Sequence, residues 1–339
     1  MNLSRTLVMA SVLTLGLIGC EVPTALPIIE QQWVLPVKKI TLGADEMLPN
    51  GVTVVGSGFD ISMDPVSTGE SLGSLCPACV LIDGLGPLPL PAFSGSFTSS
   101  QALPTDVVSA EITGGVVSLL IDNGLSFDPL AGGGTVLIEV RNGAGGALLG
   151  SLMLDGAGDA LPAGSTGTVG LSLVAGTLDT SLFMSVSLGV AGGQMTVVDV
   201  TQRIDVVATI NSVLVRAITA DVHSRTVDID AGSVDLEDID TDISDRIVEG
   251  AIILDVENPF DVSFTGTIEI GGTSKPFSLL GAGPSEVTLQ YTGDEIRSFV
   301  GQPGVSFSGS GTAVGSAVAI TPGQEMTIQV TLDLTIEIG

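Results

Sequence analysis

The sequence predicts an all-β protein made of tandem antiparallel β-sandwich domains with little helix, and three observations carry that expectation. Valine, isoleucine and threonine are abundant among 45 glycines, as short strands joined by tight turns require. Apolar and polar residues alternate with period two in run after run, so that one face of each run is apolar. Helical periodicity is scarce. The chain is 44% hydrophobic with a mean hydropathy of +0.57, enough for packed cores rather than an acidic disordered tail.

Taken in order, the alternating runs are Val116 to Ile121, Thr135 to Val140, Gly167 to Val174, Met184 to Val190 and Asp205 to Val215, then Ala251 to Val256, Ser263 to Ile270 and Val287 to Tyr291. The clearest is the last, Met326 to Ile338, where Thr, Gln, Asp and Glu fill alternate positions of an otherwise aliphatic stretch. Asp106 to Ile112 is read as a single helical turn at most, and Thr292 to Val300 as one short helix. Alternating strands also describe outer-membrane barrels. Barrels need aromatic girdles, and this chain is 4% aromatic with one Trp and one Tyr, so the barrel is rejected.

A shift of 135 residues aligns Ser109 with Ser244, Ile112 with Ile247, Gly115 with Gly250, Ile121 with Val256 and Asn123 with Asn258. Each window then runs through an Asn-containing turn, Asn123-Gly124 or Asn258-Pro259, to an aromatic residue and another strand. Leu182 to Ile210 and Phe299 to Ile338 likewise share a glycine-rich hairpin and a long closing strand. The expected organisation is a leader at 1–19, a tether at 20–32, an N-terminal β-rich segment with a Cys-x-x-Cys at 33–105, and sandwich units at 106–222 and 223–339. Val213 to Asp235 crosses between the units.

Ala251-Ile-Ile-Leu-Asp-Val-Glu-Asn-Pro-Phe-Asp-Val-Ser-Phe-Thr-Gly-Thr-Ile-Glu-Ile, followed by Gly271-Gly272, resembles the type 2 late-embryogenesis-abundant (water-stress and hypersensitive response) domain over roughly residues 236–339. The resemblance implies a small antiparallel sandwich with about one helix, a next strand at Phe277 to Leu280, and no enzymatic activity. The first unit departs from it at Gly124, where the proline is replaced. At the other end of the chain, Arg5 precedes an apolar run from Leu7 to Ile18 that is too short to cross a bilayer, the pattern of a signal peptide. Leu17-Ile18-Gly19-Cys20 resembles the lipobox of bacterial lipoproteins, which implies cleavage before Cys20, lipid on its thiol and an envelope location. Glu21, where enteric bacteria use Asp to retain lipoproteins at the inner membrane, implies the outer membrane, facing either the periplasm or the cell surface.

Loss of residues 1–19 would remove Arg5 and no acid, leaving 9 basic against 38 acidic residues and a formal charge of −29. Such a surface excludes nucleic acid as a partner. Cys76 and Cys79 are expected to form a local disulfide, because Val80 to Pro91 does not supply the helix that a redox Cys-x-x-Cys needs. Zinc would need a second ligand pair, and His223 is the sole histidine. From Asp238 the spacing of Asp238, Asp240, Asp242 and Glu249 imitates a calcium loop, but Ile243 stands where the turn glycine belongs. The preferred reading is an extended solvated edge with the three aspartates on one face, with weak calcium binding as its alternative. His223, between Asp221 and Arg225, is read as an exposed strand residue rather than a triad base, and no nucleophile elbow, Walker loop or dinucleotide fingerprint is present.

These readings lead to a lipid-anchored, non-catalytic envelope protein serving as a structural or interaction module, with the membrane and an envelope protein as partners. The alternative is a periplasmic carrier of lipid or another apolar ligand. A continuous apolar cavity of several hundred Å3 would favour the carrier.

Overall fold

The computed structural model describes residues 28–179, 181–234, 239, 241–302 and 304–338. The chain opens with β1 (Ile29–Gly43), a 3-10 turn (Ala44–Met47), β2 (Val52–Val55), β3 (Gly58–Ile61) and β4 (Val66–Ser71). Helix α1 (Leu72–Leu75) and a second 3-10 turn (Pro77–Ile82) lead to β5 (Leu88–Pro89), β6 (Phe93–Ala102) and β7 (Val107–Asn123). Next come β8 (Thr135–Asn142), β9 (Leu148–Asp155), β10 (Ser165–Leu173), β11 (Gly176–Leu178), β12 (Ser181–Val190), β13 (Met195–Thr196) and the 32-residue β14 (Arg203–Val234). After α2 (Thr241–Ser244) the chain adds β15 (Ile247–Asn258), β16 (Ser263–Ile270), β17 (Thr273–Leu279), β18 (Gly283–Thr292), α3 (Gly293–Arg297), β19 (Val305–Ile320) and β20 (Glu325–Ile338). The fold is all-β, and every named strand pairing is antiparallel.

Two sandwiches share β14. In the first, β10-β7-β14-β4 faces β6-β12-β8-β9; in the second, β1-β20-β15-β18 faces β14-β19-β16-β17. The two orders correspond strand for strand. Strands β7, β8, β9, β10, β12 and the first half of β14 occupy the places of β15, β16, β17, β18, β19 and β20. Strand β4 stands where β1 does, and β6 where the second half of β14 does. Along β14, β7 flanks residues 204–220 on one side, while β4, β3 and then β19 follow one another on the other.

The cores follow from the alternation. Met326, Ile328, Val330, Leu332, Leu334 and Ile336 of β20 are all buried, against Phe264 and Ile268 of β16 and Phe307 of β19. In the first sandwich Val136, Ile138 and Val140 of β8 and Met184, Val186 and Leu188 of β12 are buried against Leu119 and Ile121 of β7. Burying each such side chain contributes about 1.5–3 kcal/mol. Gly250 interrupts β15 because a side chain there would meet Ile296 Cδ1 at 2.4 Å; its absence lets α3 lie on the strand.

Four expectations change. Residues 33–105 are not a separate segment: β4 and β6 complete the first sandwich and β1 the second, because each sandwich needs an edge that its own unit does not encode. Gln31 and Gln32, placed in the tether at 20–32, belong to β1, opposite Ile336 and Thr335; the rest of the tether before Ile28 lies outside the described residues. Asp106 to Ile112 is no helical turn. Val107 opens β7 because its neighbours on β14 supply ladder partners that local sequence cannot reveal. Residues 241–244 form a helical turn rather than an extended edge.

Candidate functional site

The ends of β14 define two poles. Arg203 lies beside Ser71 and near Asn123; Val234 pairs with Val305. At about 3.3 Å per residue, 32 residues span on the order of 100 Å, shortened by bulges. The chain enters at the second pole, where Ile29 is paired with Ile338 and Ile247 with Ile336. Cys20 lies outside the described residues. The disulfide lies at the first pole.

There, the Ser71 hydroxyl accepts the Ser74 amide at 3.4 Å and caps α1, whose end is Cys76. Cys76 and Cys79 are bonded, with their Cα atoms 5.3 Å apart and both fully buried. Cys76 both ends α1 and N-caps the 3-10 turn Pro77–Ile82, a single short 3-10 turn in place of the long α-helix of a redox Cys-x-x-Cys, and its sulfur is engaged in the bond to Cys79. The bond staples a turn that displays Val80 and Leu81 to solvent, Leu81 at 82% exposure. Met195 and Val197 are also exposed, on the segment that pairs back through Met195–Pro89 and Asp83–Val198.

Asn123 and Asn258 are buried at equivalent strand ends and make the same bonds. The Asn123 carboxamide accepts the Leu125 amide at 3.1 Å and donates to the carbonyls of Phe127 at 3.0 Å and Leu161 at 2.7 Å. Asn258 accepts from Phe260 at 2.9 Å and donates to Val262 at 3.1 Å and Gly281 at 2.8 Å. Each thus ties its own turn to the chain entering the strand beside it. The 135-residue offset located both residues as turn formers; the second bond, across 38 and 23 residues, has no local signal.

At the second pole Thr292 and Glu295 form a capping box on α3, and Lys275 donates to Glu295 at 2.7 Å. The Lys275 bond and the Thr292 amide hold the Glu295 carboxyl below its usual range. Beneath them Tyr291 packs edge-on against Phe299, with Lys275 Nζ 4.8 Å from the Tyr291 ring centroid. Burial, aided by Glu295, pushes the Tyr291 phenol up to about 12. Its hydroxyl has no hydrogen-bond partner among the described residues.

The calcium candidates divide. Asp238 and Asp240 lie outside the described residues, Asp242 is in the first turn of α2, and Glu249 sits on β15 opposite Thr292 and Thr335. Among the described residues no three His, Cys, Asp or Glu side chains converge as a metal site. His223 is an exposed residue of β14, its Nδ1 3.6 Å from Asp106 Oδ1. The larger depressions are open surface clefts. One of about 680 Å3 is lined by Ile28, Arg246 and Arg297 among others, and one of about 480 Å3 by Lys39, Asp255, Glu257 and Glu286 among others. Neither has the continuous apolar lining of a carrier. Among the described residues no helix is long and apolar enough to cross a membrane.

No family model matches the chain, and no curated protein matches it. Among solved structures it is similar to a protein of Parabacteroides distasonis ATCC 8503 classed as secreted, at 10% identity over 90% of this chain and 99% of that one, with a TM-score of 0.33. Infectious bursal disease virus, Gx strain, follows at 12% identity over 92% and 73%, with a TM-score of 0.21. A tandem CBM22 domain of Paenibacillus barcinonensis Xyn10C matches at 9% identity over 82% and 99%, with a TM-score of 0.17. At these scores the likenesses carry no argument about function.

Proposed function

We propose that the chain is a lipid-anchored, non-catalytic module of the cell envelope, held to a membrane at the pole where β1 begins and projecting the disulfide-stapled pole towards its partners. Leu17-Ile18-Gly19-Cys20 after an apolar run carries this reading. Only seven residues lie between Cys20 and Ile28, a reach of at most about 30 Å at roughly 3.5 Å per residue step, so a lipid on Cys20 keeps the first-described end of the body close to the bilayer. An acidic chain avoids anionic headgroups, and the anchor overcomes that avoidance. In this reading the second unit is a type 2 late-embryogenesis-abundant-like sandwich, the outer membrane is the site of attachment, and the filled cores favour an interaction or structural role.

Expressed in a bacterium, the chain should accumulate as an uncleaved precursor when the lipoprotein signal peptidase is blocked with globomycin. Cys20→Ala should likewise abolish incorporation of radiolabelled palmitate. Unchanged processing with globomycin, or unchanged palmitate labelling in the variant, overturns the proposal.

A further inference from the structure

We propose that Asp221 is a pin that holds the two sandwiches at one fixed angle, making the molecule a rigid rod rather than a hinged pair. The residue stands where β14 leaves one sandwich for the other. On one side its backbone amide donates to the Asp106 carbonyl at the foot of β7, at 2.8 Å. On the other its Oδ1 accepts the Ala317 amide at 2.8 Å and the Ser316 hydroxyl at 3.0 Å, both on β19. One residue is therefore bonded to both bodies.

The backbone around it is strained in a way that nothing else among the described residues matches. Asp106, Ser224 and Ala317 have φ of 72°, 49° and 52°, and among the described residues they are the only non-glycine positions with positive φ. All three lie at this junction. Left-handed conformations cost a side chain about 1–2 kcal/mol each and persist where surrounding structure dictates them. Strand register also shifts here, between Ala220 and Val222 and between Val222 and Arg225 against β19. Ala317 adopts its conformation with its amide on the Asp221 carboxylate. Three strained residues and two register shifts at the one crossing point bend β14 by a set amount, and the Asp221 bonds fix that bend.

Spin labels at Met153→Cys in the first sandwich and Val248→Cys in the second report the angle, both positions being exposed and both native disulfide cysteines buried. The full chain carries Cys20→Ser so that only the introduced thiols react. The expected result is one narrow distance distribution with Asp221 intact, and the same with Asp221→Asn, whose single carboxamide oxygen can still accept both bonds. Asp221→Ala should broaden the distribution by about twofold or more while the circular dichroism of both sandwiches is retained. A distribution as narrow in Asp221→Ala as in the parent overturns the pin, and so does equal broadening by Asn and Ala. Should Asp221→Ala fail to fold, hydrogen exchange on the parent decides. The Ala317 amide should exchange at least about tenfold more slowly than the same residue in an unstructured peptide, the scale of one charge-assisted bond. Exchange at the unstructured rate overturns the proposal.

Discussion

The two sandwiches carry the same strand order and fill it differently. The second packs Phe264 of β16 and Phe307 of β19 fully out of solvent, whereas the corresponding strands of the first, β8 and β12, are filled by Val136, Ile138, Met184 and Val186. The outer ends differ as well. A disulfide braces one, and a capped helix over Tyr291 and Phe299 braces the other. What both retain is the buried asparagine at the end of the strand that leads each unit, bonded in the same three directions. Side-chain volume is thus interchangeable within this topology, while a buried carboxamide serving three backbone groups is not.

Core truncation should separate the sandwiches most strongly. Phe264→Ala is expected to cost about 3–5 kcal/mol and Ile138→Ala about 2–4 kcal/mol in chemical denaturation. Because β14 belongs to both bodies, both variants should shift a single cooperative transition. Two transitions, each moved by only one variant, would break the picture of coupled halves. Asn123→Ala and Asn258→Ala should each cost about 2–3 kcal/mol, since each leaves buried backbone groups unpaired. Equal losses sharpen the equivalence of the two turns, and a negligible loss at either removes it.

The disulfide should act on one body alone. The bond closes a loop of only a few residues, so Cys79→Ser, or reduction, should cost about 2 kcal/mol, read as a lower melting temperature with faster exchange confined to the first pole. The smallest effects are those of pH, and they should fall on the second sandwich. Glu295 has its carboxyl lowered on folding, so its stabilisation is present above the unfolded value near 4.5 and disappears as pH falls through the folded one. Tyr291 is raised from 10 to about 12, so its contribution holds below pH 10 and is lost as pH climbs through about 12. Glu295→Gln should flatten the acid limb of a stability profile and Tyr291→Phe the alkaline limb; unchanged limbs would discount this account of the brace.

Much of this was legible in the residues. Ser263 to Ile270 is β16 as read, and Met326 to Ile338 is β20 but for Glu325, because a half-buried strand writes its period into its own sequence. Cys76 and Cys79 were placed together by their spacing. What stayed hidden depends on distant partners. Val107 begins a strand because β14 is beside it, and the destination of β1 is set by β20, where Gln32 bonds Asp333 from 301 residues away. Asp221 had no signal at all. An aspartate in an alternating run looks like any solvent-facing residue until the crossing of two bodies places Ala317 against it.

Strand β20 lies between β1 and β15, so among the described residues the last strand is an interior strand of the sheet whose edge is the first. A chain made from its amino terminus must therefore hold β1, with Trp33 and Leu35, unmatched until β20 is made. The second sandwich cannot close early. Its assembly is gated by the synthesis of β20, which makes its folding slow by contact order and gives a chaperone that shields an unpaired edge a long task at β1.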